Sequence, residues 1–358
     1  MYNIAIEILK ILNKNKFEAY IIGGYPRDLY IGKKSSDIDI CTNAKYKELK
    51  KIFKNIKDNK YGSYKLKYKN QQFEITTFRK ESKYLKNRFP EKIKYTKKLK
   101  TDLRRRDFTI NTLCIDKNEK YIDLKNAKKD IDKKIIRLIG PKTKIKKDAL
   151  RILRALRFAT ILDFKLDKKL EKAIEKYKDN LTNISYDRKK QELEKILKSK
   201  NYKYGIKLIK KFKLEKYLNI KIDKIKYTKD TLGMWAQIIK DDTYNFNKEE
   251  QKKIKIIREL KEKNFDLCDL YKYGPEILTI IDEIKQENNN IIEQYKKLQI
   301  KDRDEIDINF FEISDIIKVT NKMIAQIYDD IEKQIIYNNL KNKKTEIKKY
   351  IKKNYKVG

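Results

Sequence analysis

The stretch GGYPRDLYIGKKSSDIDICT, residues 23–42, places three of the chain's nine glycines just ahead of two aspartates that are one residue apart. In a strand, residues i and i+2 face the same side, so DIDI brings Asp37 and Asp39 together and turns Ile38 and Ile40 into a core. Two carboxylates facing one small volume repel and raise each other's pKa. A Mg²⁺ ion relieves that repulsion while keeping coordination positions open for phosphate and water. Upstream, AYIIGG reads as a strand running into a Gly-Gly turn, after which Pro26 fits the first turn of a helix beginning PRDLY. Gly23 and Gly24 let backbone N–H groups approach a phosphate, the helix N-terminus adds partial positive charge, and Arg27 adds a guanidinium. On this reading the glycines make room for a triphosphate and the aspartates hold its metal; the other reading of the DxD alone is two solvated turn aspartates.

A third carboxylate stands in QQFEITTFR, where Glu74, Thr76 and Phe78 share one strand face. If that strand lies beside Asp37 and Asp39, Glu74 completes an acidic cluster able to hold two metals, one at an attacking hydroxyl and one at a leaving pyrophosphate. The other reading of Glu74 is an edge-strand charge.

Composition narrows the chemistry. The chain of 358 residues carries 91 Lys and Arg against 52 Asp and Glu, a net charge of +39, so an anionic partner is expected and nucleic acid leads. A compositional bias alone would spread this charge evenly. Instead residues 1–200 hold +30 and the remainder +9, with 241–330 net negative and 331–358 basic again. Histidine is absent, which excludes Ser-His-Asp triads, zinc hydrolases and histidine phosphohydrolase domains. Catalysis must run on carboxylates, lysine, tyrosine or an oxygen-bound cation. Cys41, Cys114 and Cys268 are odd in number and too dispersed for a zinc knuckle or a disulfide framework, so a reducing cytoplasm is expected. No apolar run approaches the roughly 18 residues of a membrane span. The opening MYNIAIEILKILNKNK has helical spacing at Ile4, Ile8, Ile11 and Leu12 and lacks a signal-peptide core.

Residues 1–140 mix short strand-like runs with helical stretches, an α+β pattern, and from about Pro141 helical periodicity dominates. Gly205, Gly233 and Gly274 are expected to punctuate those helices. Residues 80–100 and the last few residues read as mobile, and the other lysine-rich segments keep apolar periodicity.

In order, GGYPRDLYIGKKSSDIDICT, FEITTFR, DLRRRDFTINTLCID, YIDLKNAKKDIDKKIIRLIG, KDALRILRALRFA and SYDRKKQELEKIL resemble the class II tRNA nucleotidyltransferases (CCA-adding enzymes) and bacterial poly(A) polymerases, over about residues 5–200. These belong to the polymerase-beta-like nucleotidyltransferases. The resemblance implies a catalytic head at 1–140, a helical neck at 141–200, and a helical, RNA-binding body and tail at 201–358, where the match is only in helical character. It implies Asp37 and Asp39 as the metal carboxylates, and Gly23, Gly24 and Arg27 on the nucleotide phosphates. Arg105, Arg106, Asp107 and Asn111 would lie by the ribose. On DALRILRALRF, Asp148 and Arg151 stand three apart and share a helix face. There a carboxylate accepts from the exocyclic amine of cytosine or adenine while a guanidinium donates beside it. Arg154 and Arg157 continue the stripe, with Leu150, Leu153 and Leu156 in the core.

The resemblance implies template-independent addition of CCA to the 3′ end of tRNA from CTP and ATP with Mg²⁺ and release of pyrophosphate, without an obligatory protein partner. A poly(A) polymerase, or an enzyme adding only CC or only A, is the near alternative; an inactive RNA-binding protein on the same scaffold is the distant one. Three positions depart from the family pattern. Lys147 stands where glutamate is usual, DLKNA from Asp123 replaces a glycine-containing turn, and Asp187 replaces a glutamate.

Overall fold

The computed structural model describes residues 1–59, 62–81, 84–85, 89–90 and 93–355. The chain divides into two compact units, Met1–Asn219 and Ile220–Gly358. Both the expected head and the expected neck lie within the first.

The first unit begins with α1 (Tyr2–Lys14), β1 (Ala19–Ile22), α2 (Gly24–Tyr30), β2 (Asp39–Thr42), α3 (Tyr46–Ile52), β3 (Ile56–Asp58), β4 (Ser63–Tyr68) and β5 (Gln71–Thr77). It continues through β6 (Arg79–Glu81), β7 (Tyr84–Leu85), β8 (Phe89–Pro90), β9 (Ile93–Tyr95), α4 (Leu99–Leu103), β10 (Cys114–Ile115), β11 (Tyr121–Ile122), α5 (Ala127–Asp132) and β12 (Ile135–Ile136). Helices then take over, as α6 (Thr143–Lys147), α7 (Leu150–Leu162), the short β13 (Lys165–Leu166), α8 (Lys168–Tyr177), α9 (Tyr186–Leu197), α10 (Tyr202–Lys211) and α11 (Glu215–Leu218). The α+β head followed by helices is therefore the observed architecture.

One mixed sheet organises the head, in the order β11-β10-β1-β2-β5-β4-β3. Its pairs are antiparallel except β2 and β5, which run parallel with Asp39 opposite Glu74. Helix α1 follows its apolar period, burying Ala5, Ile8, Leu9 and Leu12 against Ile21, Ile40 and Ile75 on one sheet face. The other face gathers Ile22, Cys41, Phe78, Cys114 and, from α4, Leu99 and Leu103. Alternation puts Asp39 and Glu74 on this second face, because Cys41 lies two residues beyond Asp39.

Within 80–100, expected to be a mobile loop, residues 82–83, 86–88 and 91–92 lie outside the described residues, as do 356–358 at the end. The described part is paired: β6 with β9 and β7 with β8, both antiparallel. The ladder continues the end of β5, since Thr96 N donates to Phe78 O at 3.0 Å. Tyr95 anchors it against Gly62, where an added Cβ would lie 2.9 Å from the tyrosine ring.

Packing of α7 against α9 and α10 closes the first unit. Gly205 lies inside α10 and does not punctuate it: a Cβ there would meet Ile196 Cγ2 at 2.4 Å, so glycine permits close helix packing. Lys189, on α9, is 1% exposed and donates to Tyr217 O at 2.9 Å, with its ammonium 4.1 Å from the Tyr186 ring centroid. Burial pulls its pKa down to about 8. Below pH 8 folded and unfolded chains both carry the charge, and the fold bears its desolvation; between 8 and the unfolded value of about 10.4 only the unfolded state keeps the proton, so the penalty fades as pH rises. Lys189→Met should therefore stabilise the protein by on the order of 2 kcal/mol at pH 7, with the gain shrinking by pH 10. Denaturation midpoints of both proteins at the two pH values check this, and a less stable variant at pH 7 would refute it.

The second unit is helical, with α12 (Thr231–Ile238), α13 (Lys248–Leu260), α14 (Leu267–Lys285), α15 (Ile291–Lys297), α16 (Phe310–Ile316), α17 (Asn321–Ile336) and α18 (Lys344–Asn354). Capping boxes at Asn247, Asp266 and Asn309 start α13, α14 and α16. Gly233 lies within α12, again as a packing contact, 2.5 Å from Ile280 Cγ2 when a Cβ is added. Gly274 does break a helix: its φ of +78° interrupts α14 just ahead of Pro275. Trp235 is fully buried against Tyr244 and Phe246. The basic end is folded as well, since Ile331, Ile335, Ile347 and Ile351 are buried.

Candidate active site

Gly23 ends β1 with φ +94°, a backbone that favours glycine. It also faces β2 closely: a Cβ on Gly23 would lie 2.9 Å from Asp39 Oδ2. The glycine thus keeps one oxygen of Asp39 accessible. The strand begins at Asp39, so Asp37 precedes it, but alternation holds, with Asp37 exposed, Ile38 buried and Ile40 fully buried. Burial, then Glu74 across the ladder and Asp37, raise the Asp39 carboxyl to about 6, against the lowering effect of Arg106. Glu74 accepts from Ser63 Oγ at 2.5 Å and is exposed. Among the described residues no three acidic or cysteine side chains converge as a ready-made metal cluster, so the site presents a pair of hard oxygen donors with a neighbouring third carboxylate.

Behind the glycines, Arg27 is buried. Its Nη1 donates to Asn111 Oδ1 at 2.6 Å, and its Nε donates to Asp28 Oδ1 at 2.9 Å. Asn111 Nδ2 in turn donates to Asp107 Oδ1 at 3.1 Å, and Arg154 Nε donates to Asp107 Oδ2 at 2.8 Å. Burial alone would raise Asp107, but Arg154, Asn111 and Arg151 outweigh it and hold the carboxyl well below the usual carboxylate range. From Arg154 the network reaches Glu192 on α9, which pairs with Arg157 Nη1 at 3.0 Å. The rings and guanidiniums interlock, with Arg27, Arg154 and Arg157 all lying over Phe158, at 5.3, 5.6 and 4.3 Å from its centroid.

Arg105 and Arg106 are held from below by Asp102, which is fully buried and lies 2.8 Å from Arg105 Nε and 3.7 Å from Arg106 Nε. Arg105 O also accepts from Arg151 Nη2 at 3.3 Å. Through the charge of Arg106 near Asp39 and the Arg105 carbonyl under Arg151, this turn links the sheet carboxylates to the start of α7.

Asp148 is not on the helix. It lies between α6 and α7 with extended backbone, φ −146° and ψ 92°, and its Oδ1 accepts from Leu150 N at 3.3 Å. Its side chain acts on the start of the helix in the way a capping residue does, which favours a non-helical backbone. The expected pair forms nonetheless, Asp148 Oδ2 lying 3.5 Å from Arg151 Nε, with Arg188 Nη2 4.0 Å from Oδ1. Leu150, Leu153 and Leu156 are buried as expected, and Arg151 and Arg157 are also buried.

The DLKNA turn folds without glycine. Asp123 accepts from Ala127 N at 2.8 Å and Lys128 N at 2.9 Å, and Asn126 adopts φ +57°, a conformation asparagine tolerates well. Residues missed in the sequence are Asp28, Asp102, Phe158, Arg188 and Glu192, which position the others. Asp102 had a readable signal, three and four residues ahead of two arginines.

A strand-turn-helix facing a carboxylate pair on a mixed sheet, joined by an arginine-aspartate turn to a helical neck, is the framework of a nucleotidyltransferase. Residues 19–137 match the family model "Poly A polymerase head domain", 163–224 match "Probable RNA and SrmB- binding site of polymerase A", and 243–351 match a tRNA nucleotidyltransferase domain 2. The chain belongs to the CCA-adding enzyme family. It is 32% identical to the CCA-adding enzyme of Ligilactobacillus salivarius, over 95% of this chain and 93% of that one, and 30% identical to that of Listeria monocytogenes, over 97% of each. The crystal structure of the Bacillus stearothermophilus CCA-adding enzyme in complex with CTP shares the fold, with a TM-score of 0.82, 22% identity and coverage of 98% of this chain and 96% of that one. The similarity thus extends through the second unit, where the sequence had offered helical character alone.

Proposed function

We propose that this protein adds C, C and A in turn to the 3′ end of tRNA without a nucleic acid template, using CTP and ATP and releasing pyrophosphate. The observation that carries the reading is the near full-length similarity to CCA-adding enzymes, together with the bridging of the carboxylate pair and the Asp148–Arg151 pair through one arginine-rich turn. No helix among the described residues is long and apolar enough to cross a membrane. Free cysteines at 41, 114 and 268 agree with a cytoplasmic enzyme.

Asp37 and Asp39 fit a divalent cation, Mg²⁺ in this reading, because both are oxygen donors that alternate with the buried Ile38 and Ile40, and a side chain at Gly23 would crowd Asp39 Oδ2. The chemistry supplied when the ion is bound is activation of the RNA 3′-hydroxyl and neutralisation of charge on the leaving pyrophosphate. Gly23, Gly24 and Arg27 receive the nucleotide phosphates. Asn111, held between Arg27 and Asp107, orients the ribose together with Arg105 and Arg106. Asp148 accepts from the exocyclic amine of cytosine or adenine and Arg151 donates beside it, while uracil or guanine would set a carbonyl oxygen against the carboxylate. Arg154 and Arg157, fixed by Asp107 and Glu192, form the wall under the base. In-line attack at the α-phosphate then depends mainly on positioning and charge.

The test is incubation of tRNA lacking its 3′ CCA with CTP, ATP or both, followed by sequencing of the product. CCA addition followed by arrest is expected. A long A tail on unstructured RNA would instead make the protein a poly(A) polymerase.

A further inference from the structure

A cationic cavity adjoins the proposed nucleotide site and shares Arg105 and Arg151 with it. A cavity of about 320 Å³ is lined by Lys80, Arg104, Arg105, Lys144, Lys147 and Arg151, with the hydroxyl-bearing Thr101 as the remaining lining residue. None of its described lining residues is acidic. Two aspartates adjoin it in sequence, and both are already engaged: Asp102 by Arg105, Arg106 and Arg79 N, and Asp148 by Arg151 and Arg188. Lys144 is spent on the turn itself, donating to the carbonyls of Arg104 and Arg106. Arg151 is 7% exposed; its Nε meets Asp148 Oδ2 as an ion pair at 3.5 Å, and its Nη1 has no hydrogen-bond partner. The cationic field reaches further, since Lys125 is held below its usual pKa by burial, by Arg104 and by Lys100. Like charges gathered around a cavity, with a buried donor unsatisfied, call for a ligand that brings negative charge and several acceptor oxygens.

We infer that this cavity binds backbone phosphodiesters at the single-stranded 3′ end of the RNA substrate. The inference rests on the proposed reaction and deepens it. Phosphates of the incoming nucleotide are assigned to Gly23, Gly24 and Arg27 and to the metal at Asp37 and Asp39, none of which lines the cavity; Arg105 and Arg151, assigned to ribose and base, form the wall it shares with the nucleotide, which leaves Lys80, Arg104 and Lys147 to face another anion. The anionic strand that must lie close to the reacting nucleotide is the RNA. Lys80 and Lys147 are exposed at the cavity's margin, placed to meet that strand from two different elements, β6 and α6.

The experiment uses the full chain carrying Lys80→Ala and Lys147→Ala together, with Lys47→Ala and Lys50→Ala on α3 as a control that removes the same charge elsewhere. Three quantities are measured: affinity for labelled tRNA lacking its CCA in the absence of nucleotide, KM for CTP, and inhibition by pyrophosphate. Expected are a loss of about 10-fold in RNA affinity and a salt dependence shallower by about 1.4 in log–log slope, for two lost single-strand contacts. KM for CTP should be unchanged. A rise in KM for CTP, or weaker pyrophosphate inhibition, with RNA affinity intact would assign the cavity to nucleotide or product phosphates and overturn the inference. A double variant indistinguishable from the control would overturn it equally. RNA affinity is read without turnover, so a wild-type protein that fails to add CCA would sink the proposed reaction and leave this measurement independent.

Discussion

Asp39→Asn is expected to abolish incorporation of both CTP and ATP, by at least about 10³-fold, while the protein melts no lower than the wild type. The two effects have one origin. Asp39 lies across the β2–β5 ladder from Glu74 and close to Asp37, so three like charges share the end of the sheet. Replacing one carboxylate with a neutral isostere removes repulsion that Arg106 offsets only in part, and removes an oxygen that a cation needs. Steady-state incorporation on CCA-less tRNA, set against thermal denaturation with and without Mg²⁺, reads both. Substantial residual activity would take the metal away from this strand. A melting temperature that falls sharply would make Asp39 a structural residue instead.

Asp148→Ala should lower discrimination of CTP over UTP, and of ATP over GTP, by about 10–100-fold, leaving affinity for tRNA unchanged. The carboxylate is held by Leu150 N, Arg151 and Arg188, so its acceptor oxygens are fixed for the base that the proposed role would bring to it. Alanine leaves Arg151 in place, still supported by Arg105 O. The donor then remains and the acceptor is gone, and a base presenting a carbonyl is no longer repelled. Single-nucleotide incorporation with each of the four triphosphates measures this. Unchanged selectivity would move base reading off this pair.

What the sequence made legible follows from how local each signal is. Asp37, Ile38, Asp39 and Ile40 alternate on two faces whatever the partner strand, so the carboxylate pair was readable from four residues. The pairing of Asp39 with Glu74 joins segments 35 residues apart, and only the parallel ladder establishes it. The spacing of three between Asp148 and Arg151 fits a helical turn and predicts both on one helix. The extended backbone that precedes α7 keeps the same pair together by capping instead. Residues 80–100 read as a loop because lysines mask any alternation, while the ladder there depends on Phe78, Gly62 and Tyr95, only the last of which lies in the segment. Glu192 and Phe158 escaped notice for a related reason. Each acts only through arginines brought to it by packing of α7 on α9.

The run of contacts from Arg27 through Asn111, Asp107 and Arg154 to Glu192 works like a gear train in which no cog turns alone. Transplants between relatives would respect that mechanism only if they carried Met1–Asn219 whole. A chimera spliced at residue 140 would mesh one parent's Arg27, Asn111 and Asp107 with another's Arg154 and Glu192 and strip the teeth between them.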